Sequence, residues 1–393
     1  MTTASAPRGV PPLFSSAFAA DPWATFAWLQ AEAPLFSDPA SRMTVLTRYD
    51  DCAAALRHPG MSAAGGQQDR RDRGGVPRSM LTTDGAEHDA LRRPGTRLMG
   101  PAAVRDLAER LAPQVGRLMA ERTAGGAPVD LLTGLGEPVA TLAIAALLGL
   151  SGETDLAELD RHAQAVQVNL NPVPDPRTAQ AGRDSMTAFV AFLDGVLAAP
   201  DAGSVLAALC ADPELPREDL VGVLTLSMVG GWAPLAEAFT AVARVVLDDP
   251  ALAAGAGSGD GAGLLVEEVL RWHTPIPFVA RRTTEPVPLP SGEVPAGSMV
   301  LAMVLAANRD ASVFADPHEV RPGRTPGPHL ALGAGPHFCL GAALVRAVVP
   351  LALAAFMQVR PRPAHPDSGL RWQPSLFPRR IVSVPIVAGS RAR

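Results

Sequence analysis

Lysine is absent from this chain of 393 residues: all 34 basic side chains are arginine, and 39 acidic ones leave a net charge of −5. That balance gives no support to general nucleic-acid binding, which needs a basic excess or a clustered basic face. Together with abundant Ala, Gly and Pro, the missing lysine matches the codon bias of a GC-rich bacterial genome. Cysteine is scarce as well. Cys52, Cys210 and Cys339 are widely spaced and odd in number, which excludes a disulfide framework and a paired-cysteine zinc site. Nowhere do roughly 18 apolar residues follow one another unbroken, and the opening MTTASAPRGVPPLFSSAF lacks the charged start and apolar stretch of a secretory signal. The expectation is a cytoplasmic protein without a membrane span.

What the chain does have is apolar bulk: hydrophobic residues make up 47% and charged ones 19%, enough for a large core. Apolar residues recur every three to four positions over 22–33, 50–59, 103–122, 137–150 and 186–199, which predicts helices. Strand-like patterns are confined to 43–49, 278–284, 298–306 and 381–387. Stretches rich in Gly, Pro or charge interrupt them at 63–78, 170–177, 253–263 and 321–329. Apolar helices resume soon after each, so we read 1–393 as a single domain, mainly α with small β-sheets, with long loops. The apolar run from Leu220 to about Val246 holds a contradiction. At its centre lies MVGGWAPLAEA (228–238), although glycine costs a helix interior about 1 kcal/mol and proline about 3.

Cys339 lies in HLALGAGPHFCLGAALVRA (329–347), where a glycine-rich turn runs into an apolar helix from about Leu340. A cysteine at a helix N-terminus meets unsatisfied N–H groups and the positive end of the helix dipole, which favours thiolate over thiol. Such a thiolate is a nucleophile or a metal ligand; a buried, inert cysteine is the plain alternative. A nucleophile needs a histidine base and its orienting partner, which spacing alone does not pair. Zinc needs three or four ligands, and no second cysteine is near. One thiolate is enough for haem, whose porphyrin supplies four ligands of its own.

The run Gly333-Ala-Gly335-Pro-His337-Phe-Cys339-Leu-Gly341 resembles the haem-binding signature of the cytochrome P450 superfamily, in its soluble bacterial form, with Leu332 where the family usually has phenylalanine. Further motifs keep the family's order. Glu268 and Arg271, at i and i+3 on one helix face, resemble the Glu-x-x-Arg pair that braces the haem loop. Arg324 falls where the third bracing arginine lies, with Val320 in place of the expected phenylalanine, and 308–317 resembles the segment before the loop. DGAEHDALRR (84–93) resembles the helix whose His88 and Arg92 reach one haem propionate; Pro94 predicts an early end to it. Arg281 matches the arginine on the other propionate, with His337 helping. Gly230, Gly231, Trp232, Ala233 and Pro234 fall on the distal bulge of the long central helix, where relatives resemble Gly-Gly-x-Asp-Thr.

The resemblance implies a P450 fold with haem b between the central helix and the Cys339 loop. It implies a haem-thiolate monooxygenase that inserts one oxygen atom of O2 into a small apolar organic or natural-product substrate, in bacterial secondary metabolism. The two glycines let the backbone approach the iron-bound ligand. Ala233 and Pro234 replace the acid and alcohol that relay protons there, help typically worth ~10²–10⁴ in rate, and Pro234 predicts a kink. Protons then come from substrate and ordered water, or the enzyme does coupling, ring closure or peroxide-driven oxidation; a non-catalytic haem protein is the third reading. Carried over, the pocket is lined by Met80, Leu81, Trp232, Ile276, Phe278, Val279, Leu376 and Phe377. Arg70, Arg71, Arg73 and Arg78 crowd the first loop and would suit a carboxylate, a phosphate or an acidic carrier protein bearing the substrate; a solvated loop is the plain alternative. No flavin or nicotinamide fingerprint stands out, so electrons are expected from a ferredoxin and its reductase docking on the Cys339 side, with Arg324 and Arg346 either helping there or serving a wholly structural role.

Overall fold

The computed structural model describes residues 13, 15–64, 77–150, 152–167, 176–257, 260–324, 328–360, 362–364, 371–372 and 381–388. Helices dominate. In chain order they are α1 (Ser16–Ala20), α2 (Trp23–Glu32), α3 (Tyr49–Arg57), α4 (Gly85–Leu98), α5 (Pro101–Thr123), α6 (Glu137–Leu148) and α7 (Glu153–Gln167). The second half adds α8 (Pro176–Ala198), α9 (Val205–Cys210), α10 (Arg217–Asp248), α11 (Pro250–Ala256), α12 (Gly261–His273), α13 (Val304–Ala307) and α14 (Ala342–Met357).

Strands are short. The main sheet has the order β1 (Leu35–Ser37), β2 (Thr44–Leu46), β8 (Met299–Ala302), β5 (Val279–Thr283), β3 (Met61–Ser62). Its β2 and β8 run parallel and the other neighbours antiparallel. Smaller sheets pair β6 (Val287–Leu289) with β7 (Gly292–Val294), β10 (Arg371–Trp372) with β11 (Ile381–Ser383), and β4 (Pro128–Asp130) with β12 (Pro385–Ala388) and β9 (Pro363–Ala364). The apolar stretch 298–306, expected to be strand throughout, divides. Met303 N–H still donates to the Leu46 carbonyl and then Leu305 N–H turns to the Pro277 carbonyl, so β8 ends at Ala302 and α13 follows.

The main core gathers around α10. Leu224, Met228, Trp232, Phe239 and Val242 are all nearly inaccessible, and they meet α5, α6 and α14 residues such as Leu111, Ala140, Val348 and Phe356 in one cluster. Burial on nearly every side is what holds α10 through its worst helix formers, because tertiary packing outweighs intrinsic propensity. The helix is continuous from Arg217 to Asp248 with Pro234 inside it. Likewise Pro94 does not end α4, which runs on to Leu98 with Leu91, Pro94 and Leu98 buried. The early end expected from that proline is corrected by the same rule: the forfeited hydrogen bond is offset by a buried face.

Among the described residues, three segments are apolar and long enough to cross a membrane by length and composition: Leu131–Leu148, Arg217–Asp248 and Gly335–Met357. Polar residues interrupt each of them, so a search for unbroken apolar runs passes over all three. Burial inside the fold covers 72% of the first and 67% of the second, which accounts for their apolarity, whereas the third, at 33%, includes the Cys339 loop.

Close approach of α10 to the chain before α4 requires Gly222, where a Cβ would overlap the Arg78 backbone carbonyl. A carbonyl of the main chain cannot swing aside as a side-chain end can. Gly222→Val is therefore expected to destabilise the protein by about 1–3 kcal/mol through overpacking, read from the urea midpoint at constant m-value; an unchanged midpoint would refute the contact.

Candidate functional site

Two left-handed glycines shape the Cys339 loop. Gly333 (φ 73°) and Gly335 (φ 71°) turn the chain where an L side chain would be strained, and a Cβ on Gly335 would meet the Leu56 carbonyl at 2.5 Å. Cys339 N–H donates to the Leu332 carbonyl at 2.8 Å and Phe338 N–H to the Gly335 carbonyl at 3.0 Å. Upstream, the buried Asn308 Oδ1 accepts the Leu330 N–H at 2.6 Å. The loop thus presents Sγ just before α14, where Gly341 N–H donates to it. Cys339 is open to solvent, yet desolvation by surrounding protein is the main influence on its thiol.

That desolvation pushes the thiol above its ordinary value, against the Gly341 N–H, Arg92 and Arg346. The thiolate preference expected from a helix N-terminus is thus corrected: three favourable neighbours are outweighed by burial.

Beside the loop lies a group of donors. His88 is buried, its Nδ1 is 3.0 Å from Asp89 Oδ1, and its Nε2 has no hydrogen-bond partner. The His88 and His337 rings lie 4.4 Å apart. Arg281, on β5, is buried and donates through Nη1 to the carbonyl of its neighbour Ala280. Burial lowers the Arg281 guanidinium's pKa, with Asp84 opposing. His337 is held down at about 4 by burial and then by Arg281, with Asp84 pulling the other way. Arg92 Nη2 donates to the Phe338 carbonyl at 2.7 Å and so ties α4 to the loop. Asp84 is the residue that motif reasoning missed. Its carboxylate lies 3.2 Å from His337 Nε2 and accepts from the Ser62 hydroxyl at 2.6 Å and the Ala63 and Ala64 N–H groups.

The structure brings Glu268, Arg271 and Arg324 together. Arg271 donates to both Glu268 oxygens at 2.9 and 2.8 Å, and Arg324 Nε donates to Glu268 Oε1 at 2.7 Å. Remaining guanidinium donors reach the Asn308, Pro317 and Glu319 carbonyls from Arg271, and the Ala315, Asp316 and Glu319 carbonyls from Arg324. Arg324 is thereby engaged within the fold, which removes it from the expected docking surface. A second clamp went unread in the sequence. Glu267, next to Glu268, accepts from Arg346 Nε and Nη2 at 2.8 and 2.9 Å and lies 3.4 Å from His329 Nε2, while His329 Nδ1 accepts the Ala331 N–H at 3.2 Å.

On α10 most positions are buried, but Gly230 is exposed and Leu226, Val229 and Pro234 are half-buried. Spaced by three and four, these residues share one helix face. Ala233 is buried. Trp232 faces the other way: it is 1% exposed, lies in the main core, and its indole N–H donates to Thr141 Oγ1 at 2.9 Å. Gly231 likewise abuts α6, where a Cβ would lie 3.5 Å from Ile144 Cδ1.

Comparison with known proteins agrees with these features. The family model for cytochrome P450 matches residues 264–359. Over 410 aligned residues the chain is 30% identical to cytochrome P450 monooxygenase PikC of Streptomyces venezuelae, covering 98% of this chain and 95% of that protein. The chain belongs to the cytochrome P450 family. Nocardicin C N-oxygenase of Nocardia uniformis subsp. tsuyamanensis is 29% identical, across 87% of this chain and 88% of its own. The crystal structure of CalO2 superposes with a TM-score of 0.85 at 23% identity, covering 99% of each chain. This P450 is a monooxygenase of bacterial type, and its cofactor is haem.

The residues present fit that cofactor. Exposed Cys339 just before a helix, an unpartnered His88 Nε2, and the buried Arg281 beside His337, with Asp84 as the one carboxylate set against both, make a cluster with donors to spare for further anions. Gly341 stays small beside the sulfur, 3.9 Å from where its Cβ would be. The carried-over pocket fares less evenly. Trp232 is corrected out of it, because its ring packs in the core. Phe278 is corrected too: it packs on the N-terminal cluster of Phe18, Phe26 and Leu301, whereas Val279 pairs with Ala302 and Arg281 with Val300, on the sheet face of Leu330 and Ala334 in the Cys339 loop. Met80 is buried, Leu81 is 48% exposed and Ile276 half-buried. Leu376, Phe377, Arg70, Arg71 and Arg73 lie outside the described residues. Arg78 donates to Glu87 at 2.7 Å and Asp219 at 3.3 Å, so its charge is already answered.

The second clamp has a pH signature. Burial would raise the Glu267 carboxyl, but Arg346 and His329 hold it at about 2, below its ordinary 4.5. A depressed carboxylate contributes stability that is present above the unfolded value and is lost as pH falls through 4.5 toward 2. Glu267→Gln is expected to lower the urea midpoint at neutral pH and to flatten the acid limb in that window. An acid limb as steep as the wild type would refute the clamp.

Proposed function

We propose that this P450 uses Cys339 as the axial thiolate, with His88, Arg92, Arg281 and His337 holding the haem propionates. The observation that carries the reading is Cys339, an exposed residue just before α14 whose sulfur receives the Gly341 N–H. Bound haem supplies the activation of O2 and the transfer of one oxygen atom, the thiolate favouring O–O cleavage. Coordination would deprotonate Sγ outright and so overcome the desolvation cost. Each propionate would find donors beside it: Nε2 of His88 with the half-buried Arg92, and the buried Arg281 guanidinium with His337. On reduction under carbon monoxide, the protein is expected to show the thiolate-type difference spectrum and Cys339→Ala to abolish it; retention in the variant would sink the assignment.

Proton supply follows from the central helix. Pro234 has no N–H, so the Gly230 carbonyl loses its i+4 donor, and Gly230 is the exposed residue of that face. That carbonyl would hold a water, and the water, with polar groups of the substrate, would deliver the protons that Ala233 and Pro234 cannot. The substrate we propose is a small apolar natural-product skeleton, in keeping with relatives such as nocardicin C N-oxygenase and with Leu81, Ile276 and Val279 at partly open positions. Reducing electrons would come from a ferredoxin and its reductase docking on the Cys339 side.

Ala233 and Pro234 also favour a second reading, coupling or peroxide-driven oxidation, which leans less on a side-chain relay. Turnover with ferredoxin and O2 against turnover with peroxide alone separates the two. Restoring the pair, Ala233→Glu with Pro234→Thr, is expected to change product formed per electron consumed, and an unchanged ratio would overturn the water-borne route.

A further inference from the structure

Trp232 occupies the variable position of the distal stretch, and its surroundings are fully specified. An indole N–H can only donate, so Thr141 Oγ1 must accept it, at 2.9 Å. The one hydroxyl hydrogen of Thr141 then goes to Asp160 Oδ1, also at 2.9 Å. Gln164 Nε2 donates to the other Asp160 oxygen at 2.9 Å. A directed chain therefore runs from the centre of α10 through α6 to α7. Its first two members are nearly inaccessible to water, where a hydrogen bond is strong and its loss leaves a buried polar group unpaired. To one side of it, the residue just before α6 approaches α10 at backbone distance: a Cβ on Gly136 would lie 2.9 Å from the Ala236 carbonyl. At the far end the His162 ring of α7 packs at a tilt against Phe189 and Phe192 of α8, ring centroids 5.6 and 5.4 Å away, so α7 and α8 are seated together.

We infer that Trp232 is a positioning residue: through Thr141 and Asp160 it holds the Gly230–Pro234 turn back against α6 and keeps its backbone clear of the cofactor space. The inference rests on the haem-thiolate reading above. Residue 232 lies about 200° around the helix from residue 230, so a pull on the indole draws the bare face away from the cofactor. Without that pull the turn, weakened by two glycines and a missing N–H, relaxes inward.

The test uses the haem-loaded protein with imidazole as the iron-binding probe, plus hydrogen exchange of the peptide covering 226–236. Thr141→Val keeps the shape and removes the hydroxyl, whereas Thr141→Ser restores it, so the pair remains informative if Trp232→Phe fails to fold. Thr141→Val and Trp232→Phe are each expected to speed exchange there about fivefold or more and to weaken imidazole binding about threefold, the scale of one buried hydrogen bond. Thr141→Ser should stay within about twofold of wild type, and the double variant should do no more than either single one, because all three break one chain. With an intact carbon monoxide spectrum, wild-type exchange and imidazole affinity in Thr141→Val would overturn the inference, as would equal damage in Thr141→Ser. Loss of the carbon monoxide spectrum in the wild type would instead overturn the haem-thiolate reading.

Discussion

Glu268 is a carboxylate taken out of water, and the region around the cysteine loop is arranged so that its charge is answered. Two arginines and the Arg321 N–H converge on it, and both guanidinium groups then extend to backbone carbonyls between Asn308 and Glu319. Removing one member of such a network leaves a buried charge uncompensated and costs about 3–5 kcal/mol. The network therefore acts as a fixed point. It pins 308–324 against α12, and Asn308, pinned at its carbonyl by Arg271, uses its side chain to hold Leu330 at the start of the Cys339 loop.

The neighbouring carboxylate extends the same logic to the loop's other end. Glu267 and Glu268 are adjacent on α12 but point to different partners, one toward 308–324 and the other toward His329 and α14. His329 accepts the Ala331 N–H on Nδ1 and brings its Nε2 to 3.4 Å from Glu267. A sulfur whose approach and departure are both anchored to one helix has little freedom of position. On the reading proposed here, that rigidity would suit a sulfur that holds the cofactor.

How far the sequence disclosed this depends on whether a residue's role is local. The helices over 22–33, 50–59, 103–122 and 137–150 were legible because their burial stripes follow helical periodicity, and the loop glycines because only glycine suits φ near +70°. Charge partners at i and i+3 could be paired by spacing, as Glu268 and Arg271 were. Asp84, Glu267 and Thr141 could not, since each acts on a residue between 79 and 253 positions away. Trp232 shows the opposite error. Its place in a motif that faces the cofactor suggested a pocket wall, but successive residues on a helix diverge by 100°, and only the neighbouring helices decide which face is which. Phe278 and Val279 make the same point for a strand, where one step in register exchanges faces.

Where a proton could come from is settled by access as much as by acidity. Glu237 follows Pro234 by three residues and is the next carboxylate along α10, so by chemistry alone it could stand in for the missing acid. Its surroundings argue otherwise. It is 2% exposed, accepts the Ile381 N–H at 3.2 Å and lies 3.5 Å from His273 on α12; it braces strand β11 and is sealed from solvent. A sealed carboxylate that gave up a proton would have to regain one through protein, whereas a water on the Gly230 carbonyl exchanges with the space it faces. On the reading proposed here, proline at 234 has two effects that work together: it deletes a hydroxyl donor, and by deleting an N–H it frees the backbone acceptor one turn earlier. The oxygen-facing chemistry would then be set by main-chain geometry, which makes the seating of that turn against α6 matter more than in a helix that carries its own acid and alcohol.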